Sequence, residues 1–184
     1  MERLSHNARR DQFGSKINRA HFPPLAYSLP WLTIILGSLT PMLPIIAPAA
    51  VLPPMGYLML LGWRLLRPGL LPMWAGFPLG LIDDLFSGQP MGSGVLLFSL
   101  TMIAIELIEL RFPWRGFWQD WLSATFFLCV YIPFAALVSG VSITQVHLTL
   151  IVPQLLLSIF VFPLMVRLVS MLDRLRLLRV IRFN

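Results

Sequence analysis

The sequence predicts an all-α, polytopic membrane helix bundle of about six transmembrane helices with both termini cytoplasmic. Three observations carry that expectation. Of the 184 residues 57% are apolar and only 12% are charged, against roughly 45–50% and about 25% in soluble domains, so there is too little charge to cover a soluble surface. Ala20–Trp63 and Trp121–Val166 contain no Asp, Glu, Lys or Arg, and each run has the length of two spans of about 20 residues. The basic residues, finally, occupy the chain ends and alternate connections.

The elements follow in order. Residues 1–24 form a basic tail; its charged part, with Arg3, Arg9, Arg10, Lys16 and Arg19 against Glu2 and Asp11, carries a net +3. Its basic stretch and the apolar run behind it are both longer than a signal peptide's. Span one is expected over 25–46, ended by the cluster Pro41, Pro44, Pro48, Pro53 and Pro54, because proline disfavours helix in the residue before it. Span two, 50–66, is short. Span three, 69–86, contains Gly76-Phe77-Pro78-Leu79-Gly80, a small-residue step that lets a neighbouring helix approach, with Pro78 predicting a kink. Gly88, Pro90, Gly92 and Gly94 then build a tight outer turn into span four, 93–110. Span five covers 120–139, with Asp120 capping its start. Ser139-Gly140 and Ser142 separate it from span six, 145–166. Residues 167–184 read as a basic interfacial helix and tail, whose arginines snorkel and meet anionic lipid.

Charge gives the sidedness. Arg64 and Arg67 fall between spans two and three, Arg111 and Arg115 between four and five, and the other three connections carry no Lys or Arg. The basic residues therefore share one side, the cytoplasm by the positive-inside rule. Trp31, Trp63, Trp114, Trp118 and Trp121 fall near the same ends, at headgroup level. Glu106 and Glu109 stand three apart on one helix face, within reach of Arg64, Arg67 or Arg111 as inner-face ion pairs.

Catalytic motifs are missing. There is no G-x-S-x-G, H-E-x-x-H, C-x-x-C or phosphate-binding loop, and the chain has a single Lys. One Cys excludes a disulfide framework and a multi-cysteine metal site. Cys129 reads as a packing residue among Phe126, Phe127 and Tyr131, and His147 as an interfacial hydrogen-bonder. The expectation is a non-enzyme without cofactor or metal. Nucleic acid is excluded as a partner, because a nucleic-acid binder would not carry its apolar excess in charge-free runs.

Asp83-Asp84 is the polar feature left over. A carboxylate at the bilayer centre costs roughly 2.5–3.5 kcal/mol on insertion scales, which makes intramembrane acids functional candidates. The alternative is that span three ends near residue 82 and the pair is solvated. Neighbouring helical residues point about 100° apart, so the two cannot share a proton as a facing dyad does.

Gly80-Leu81-Ile82-Asp83-Asp84-Leu85-Phe86-Ser87-Gly88-Gln89-Pro90-Met91-Gly92 resembles the signature of the bacterial rod shape-determining MreD family, G-L-x-x-D-x-x-x-G-x-x-x-G. Gly80, Asp84, Gly88 and Gly92 stand in register, and Asp83 is an additional acid. The resemblance implies a non-enzymatic inner-membrane component of the cell-elongation machinery that partners MreC and, with it, RodA, penicillin-binding protein 2 and MreB, in rod shape and peptidoglycan synthesis. It also implies a fold similar to the substrate-binding components of energy-coupling-factor transporters, although the A-x-x-x-A step of those proteins is missing here. A scaffold for a partner's transmembrane helix is the leading expectation. A small-molecule-binding transporter component, with Asp83 or Asp84 near Gln89, Gln145 and His147, is the alternative.

Overall fold

The computed structural model of the chain describes residues 23–42, 52–88, 90–111, 116–138 and 145–176; for 23–26, 145–150 and 176 it describes the backbone alone. The structure is all-helical among these residues. Six α-helices follow one another: α1 (Pro23–Ser38), α2 (Met55–Leu66), α3 (Gly76–Ser87), α4 (Ser93–Arg111), α5 (Phe117–Val138) and α6 (Gln145–Arg176). Single 3-10 turns at Thr40–Met42 and Met73–Ala75 extend α1 and lead into α3. The six helices correspond to the six expected spans, and the architecture is a polytopic membrane bundle.

Lengths differ from expectation, for physical reasons. Among the described residues three helices are long and apolar enough to cross a bilayer: Ser93–Arg111, Phe117–Val138 and, within α6, Ile151–Leu175. α2 has twelve residues, about 18 Å at the helical rise, short of a hydrocarbon core of about 30 Å. Nine of the twelve are buried, so α2 is apolar on every side because other helices surround it rather than lipid. α6 continues without interruption from Gln145 to Arg176, joining expected span six and the basic segment in one helix. Pro78 lies in the first turn of α3, where its missing N–H costs no helical bond, so the expected cause of a kink is absent. α5 starts at Phe117, and Asp120 lies inside its first turn rather than at the cap; there the carboxylate still complements the positive helix end.

α2 is the axis. It packs against α1 on one side and α6 on another, while α3 pairs most closely with α4 and α5 leans on α6. The core holds Ile34 of α1, Leu58, Leu61 and Trp63 of α2, Leu79 of α3, Phe98 and Met102 of α4, Leu128 of α5 and Phe162 of α6. Glycines set the close crossings. A Cβ on Gly37 would stand 3.0 Å from the backbone of Gly56, and one on Gly62 would stand 3.1 Å from Val169 Cγ2.

One expected surface residue and one expected packing residue change places. Trp63 is fully buried, its Nε1 donating to Thr33 Oγ1 at 2.8 Å, because a central α2 carries its last turn inside the bundle. Cys129 is exposed, pointing away from the packed face that Phe127, Leu128 and Tyr131 supply. Trp118 is exposed and Trp121 half-buried, as headgroup-level indoles would be; Trp114 lies outside the described residues.

Candidate functional site

The Asp83–Asp84 pair lies inside the bundle, 7% and 3% exposed, so the solvated reading is excluded for this fold. The two side chains diverge, as neighbours on a helix must, and each reaches the first turn of a different helix.

Asp84 serves α4. Its Oδ1 accepts the Gly94 N–H at 2.6 Å, and its Oδ2 accepts the N–H groups of Gly92 at 2.8 Å and Val95 at 3.3 Å. Ser93 Oγ lies 3.1 Å from Oδ1 and 2.9 Å from Pro90 O. A helix begins with four N–H groups that have no partner within it. In α4 all four are accounted for. Ser93 N–H donates to Pro90 O and Leu96 N–H to Gly92 O, and Asp84 takes the two between. An acid one helix away thus does what a local cap does elsewhere, with its carboxyl group opposite the positive helix end.

The signature glycines make this approach possible. Gly88 closes α3 in the left-handed region at φ 68°, and Gly92 turns the chain back at φ 104°, conformations that carry no Cβ penalty in glycine. A Cβ on Gly80 would stand 2.6 Å from Gly94 O and Val95 Cα, and one on Gly76 would stand 2.8 Å from Ser99 Cα. α3 and α4 therefore touch backbone to backbone along the small-residue step. The glycine-rich turn does present N–H groups to an anion, and that anion is the chain's own Asp84.

Asp83 points to α2. Its Oδ1 would lie 2.9 Å from a Cβ on Gly56, in the first turn of α2, and the Ser38 hydroxyl lies over the same glycine. Tyr131 of α5 donates its hydroxyl to Asp83 Oδ2 at 3.4 Å. Tyr131 stacks on Tyr57 at 3.9 Å between ring centroids, and Tyr57 OH meets Thr101 Oγ1 of α4 at 2.8 Å. A polar layer therefore links α2 to α5, with Ser38 of α1 beside it. By helical rise from this Tyr57–Thr101 level, α2 begins about 9 Å deeper in the bundle than α4. Leu52, just before α2, is held by α6 through Gln154 Nε2 at 2.9 Å from its carbonyl oxygen.

Sequence reasoning did not single out Ser38, Gly56, Tyr57, Thr101 or Tyr131 as site residues. A signal was present for two of them. The chain has three tyrosines, all inside the charge-free runs and Tyr57 and Tyr131 among them, and a buried phenol requires a hydrogen-bond partner.

A second polar layer lies where α2 ends. Arg64, 1% exposed, pairs through Nη2 with Glu106 and, at 3.2 Å, with Glu109. Arg67 instead turns to α6, its Nε and Nη2 lying 2.8 and 2.6 Å from Asp173 Oδ2. The expected choice among Arg64, Arg67 and Arg111 for the two glutamates thus falls on Arg64. Arg111 is exposed at the end of α4, and no ion pair of it occurs among the described residues. Arg64→Leu is expected to destabilise the full chain by about 2–3 kcal/mol, below the 3–5 typical of broken buried pairs because Glu106 remains a third exposed. Glu106→Gln should cost less than about 1 kcal/mol, since Glu109 keeps the charge contact. Thermal unfolding of both variants in detergent checks the order.

Gln89 lies outside the described residues, and Gln145 and His147 are described in backbone only. Among the described residues there is no group of three or more His, Cys, Asp or Glu positioned for a metal.

Fold and site together define a class: a helical membrane protein whose conspicuous acids are directed at the ends of its own helices. The family model of the rod shape-determining protein MreD matches residues 25–176, and the chain belongs to that family. It is a membrane protein of the cell-shape machinery. No curated relative and no solved structure matches the chain.

Proposed function

We propose that the chain is a non-enzymatic inner-membrane scaffold of the cell-elongation machinery that binds MreC through that partner's transmembrane helix. Both termini lie in the cytoplasm in this reading. Through MreC the chain supports rod shape and lateral peptidoglycan synthesis by RodA and penicillin-binding protein 2 alongside MreB. The observation that carries the reading is the employment of Asp84. In a family signature without catalytic company, the acid is bonded to four groups of the following helix turn and is not presented to a substrate. Such an acid builds a shape. Membership of the family supplies the process in which that shape acts.

Affinity capture of the full chain from membranes in mild detergent tests the reading. MreC is expected among the captured proteins at near-stoichiometric amounts, and the chain is expected to restore rod shape in cells lacking their own copy. Restored shape without MreC capture would sink the assigned partner, and capture without restored shape would sink the assigned role.

A further inference from the structure

The acids of the bundle differ in how their charge is met. Glu106, Glu109 and Asp173 face arginines. Asp84 is met by backbone N–H groups and a serine. Asp83 forms no ion pair among the described residues, and no described N–H of α2 donates to it. The charge-free runs on either side of it supply no Lys or Arg from α1, from α2 before Arg64, or from α5 after Asp120.

The polar side chains beside it are hydroxyls. The Tyr131 hydroxyl stands 3.4 Å from Oδ2, far beyond the roughly 2.5–2.7 Å of an O–H donated to a carboxylate. Ser38, 2% exposed, lies beside the carboxylate, yet its hydroxyl oxygen has no partner in hydrogen-bonding geometry. Ser38 is also the last residue of α1, so the end of that helix reaches the same point. The first turn of α2, which favours the carboxylate, approaches from the other side. A helix end and a helix start thus meet over one buried acid, the arrangement in which discontinuous membrane helices hold ions.

We propose that Asp83, with the hydroxyls of Ser38 and Tyr131, binds a monovalent cation of sodium size inside the bundle. Oxygen donors select a hard cation. One carboxylate balances a single positive charge, whereas a divalent ion would leave a buried surplus. Ligands about 2.3–2.6 Å from an ion of this size stand roughly 3.3–3.5 Å from each other, the separation observed between Asp83 and Tyr131. The site ties α1, α3 and α5 together over α2, and it is independent of the partner assigned above.

The test uses the full chain in nanodiscs, with thermal unfolding followed in choline, potassium and sodium chloride at equal ionic strength and pH 7. Sodium is expected to raise Tm over choline by about 5 °C in a saturable manner. Ser38→Ala and Asp83→Asn should lose that rise. Equilibrium binding of radioactive sodium to the unmodified chain should saturate at one ion per chain, which keeps the proposal testable if Asp83→Asn does not fold. Equal Tm in the three salts without stoichiometric sodium binding would overturn it. A Tm that rises on acidification in choline, with no response to sodium, would assign the place to a proton and overturn it equally.

Discussion

Asp84→Ala is expected to destabilise the full chain by about 3–5 kcal/mol, the largest loss of any single polar change. Three N–H groups at the start of α4 lose their acceptor together, and each buried donor left without a partner costs about 1–3 kcal/mol. Gly92 is exposed, so water recovers one of the three, which places the sum at the lower end of simple addition. The positive end of α4 also loses its facing charge, worth about 0.3–1 kcal/mol. A loss of this size lowers Tm by about 10 °C for a chain of this length. Asp84→Asn should fall between, because an amide oxygen accepts but carries no charge. Thermal unfolding in detergent reads the series, and cell shape on expression of each variant reads its consequence. An alanine variant melting within two degrees of the parent would show that the cap is not what holds α3 to α4.

Gly80→Ala should do comparable harm by a different route. The new Cβ would meet Gly94 O and Val95 Cα at 2.6 Å. These are backbone atoms of a helix, which cannot rotate aside as a side chain can. α3 and α4 must separate, and overpacking of this kind costs about 1–3 kcal/mol, occasionally more. The upper end applies because Asp84 lies one helical turn beyond Gly80, so separation also stretches its bonds to Gly94 and Val95. The two losses share one cause, and Gly80→Ala combined with Asp84→Ala should cost clearly less than their sum. Gly62→Ala is the control: its Cβ meets Val169 Cγ2 at 3.1 Å, a flexible methyl, and less than about 1 kcal/mol is expected. Unfolding of the four variants, read as a double-mutant cycle, gives the coupling directly.

The six helices were legible because their signals are local. Charge-free runs, proline clusters and arginine-marked ends need no knowledge of neighbours. The central burial of α2 was not, since a twelve-residue apolar segment reads alike whether lipid or protein surrounds it. For the aspartates, the helical angle predicted divergence, but the destinations depend on where α2 and α4 begin. Gly76 and Gly80 were readable as a close crossing from their spacing. Gly37 and Gly56 were not, because they come from different helices and share no spacing. Trp63 was misplaced for the same reason as α2: an indole beside two arginines looks interfacial until the helix carrying it is seen at the centre.

α3 has a further property that follows from its length and its acids. Twelve residues with two aspartates near one end make a poor segment for lipid, at roughly 2.5–3.5 kcal/mol for each carboxylate near the bilayer centre. What answers Asp84 is synthesised next, in residues 92–95. What stands beside Asp83 is partly older, in α1 and α2, and partly much younger, since Tyr131 follows 48 residues later. A growing chain therefore cannot settle α3 as it emerges. The segment is expected to settle in the bilayer together with α4, as a hairpin, rather than alone.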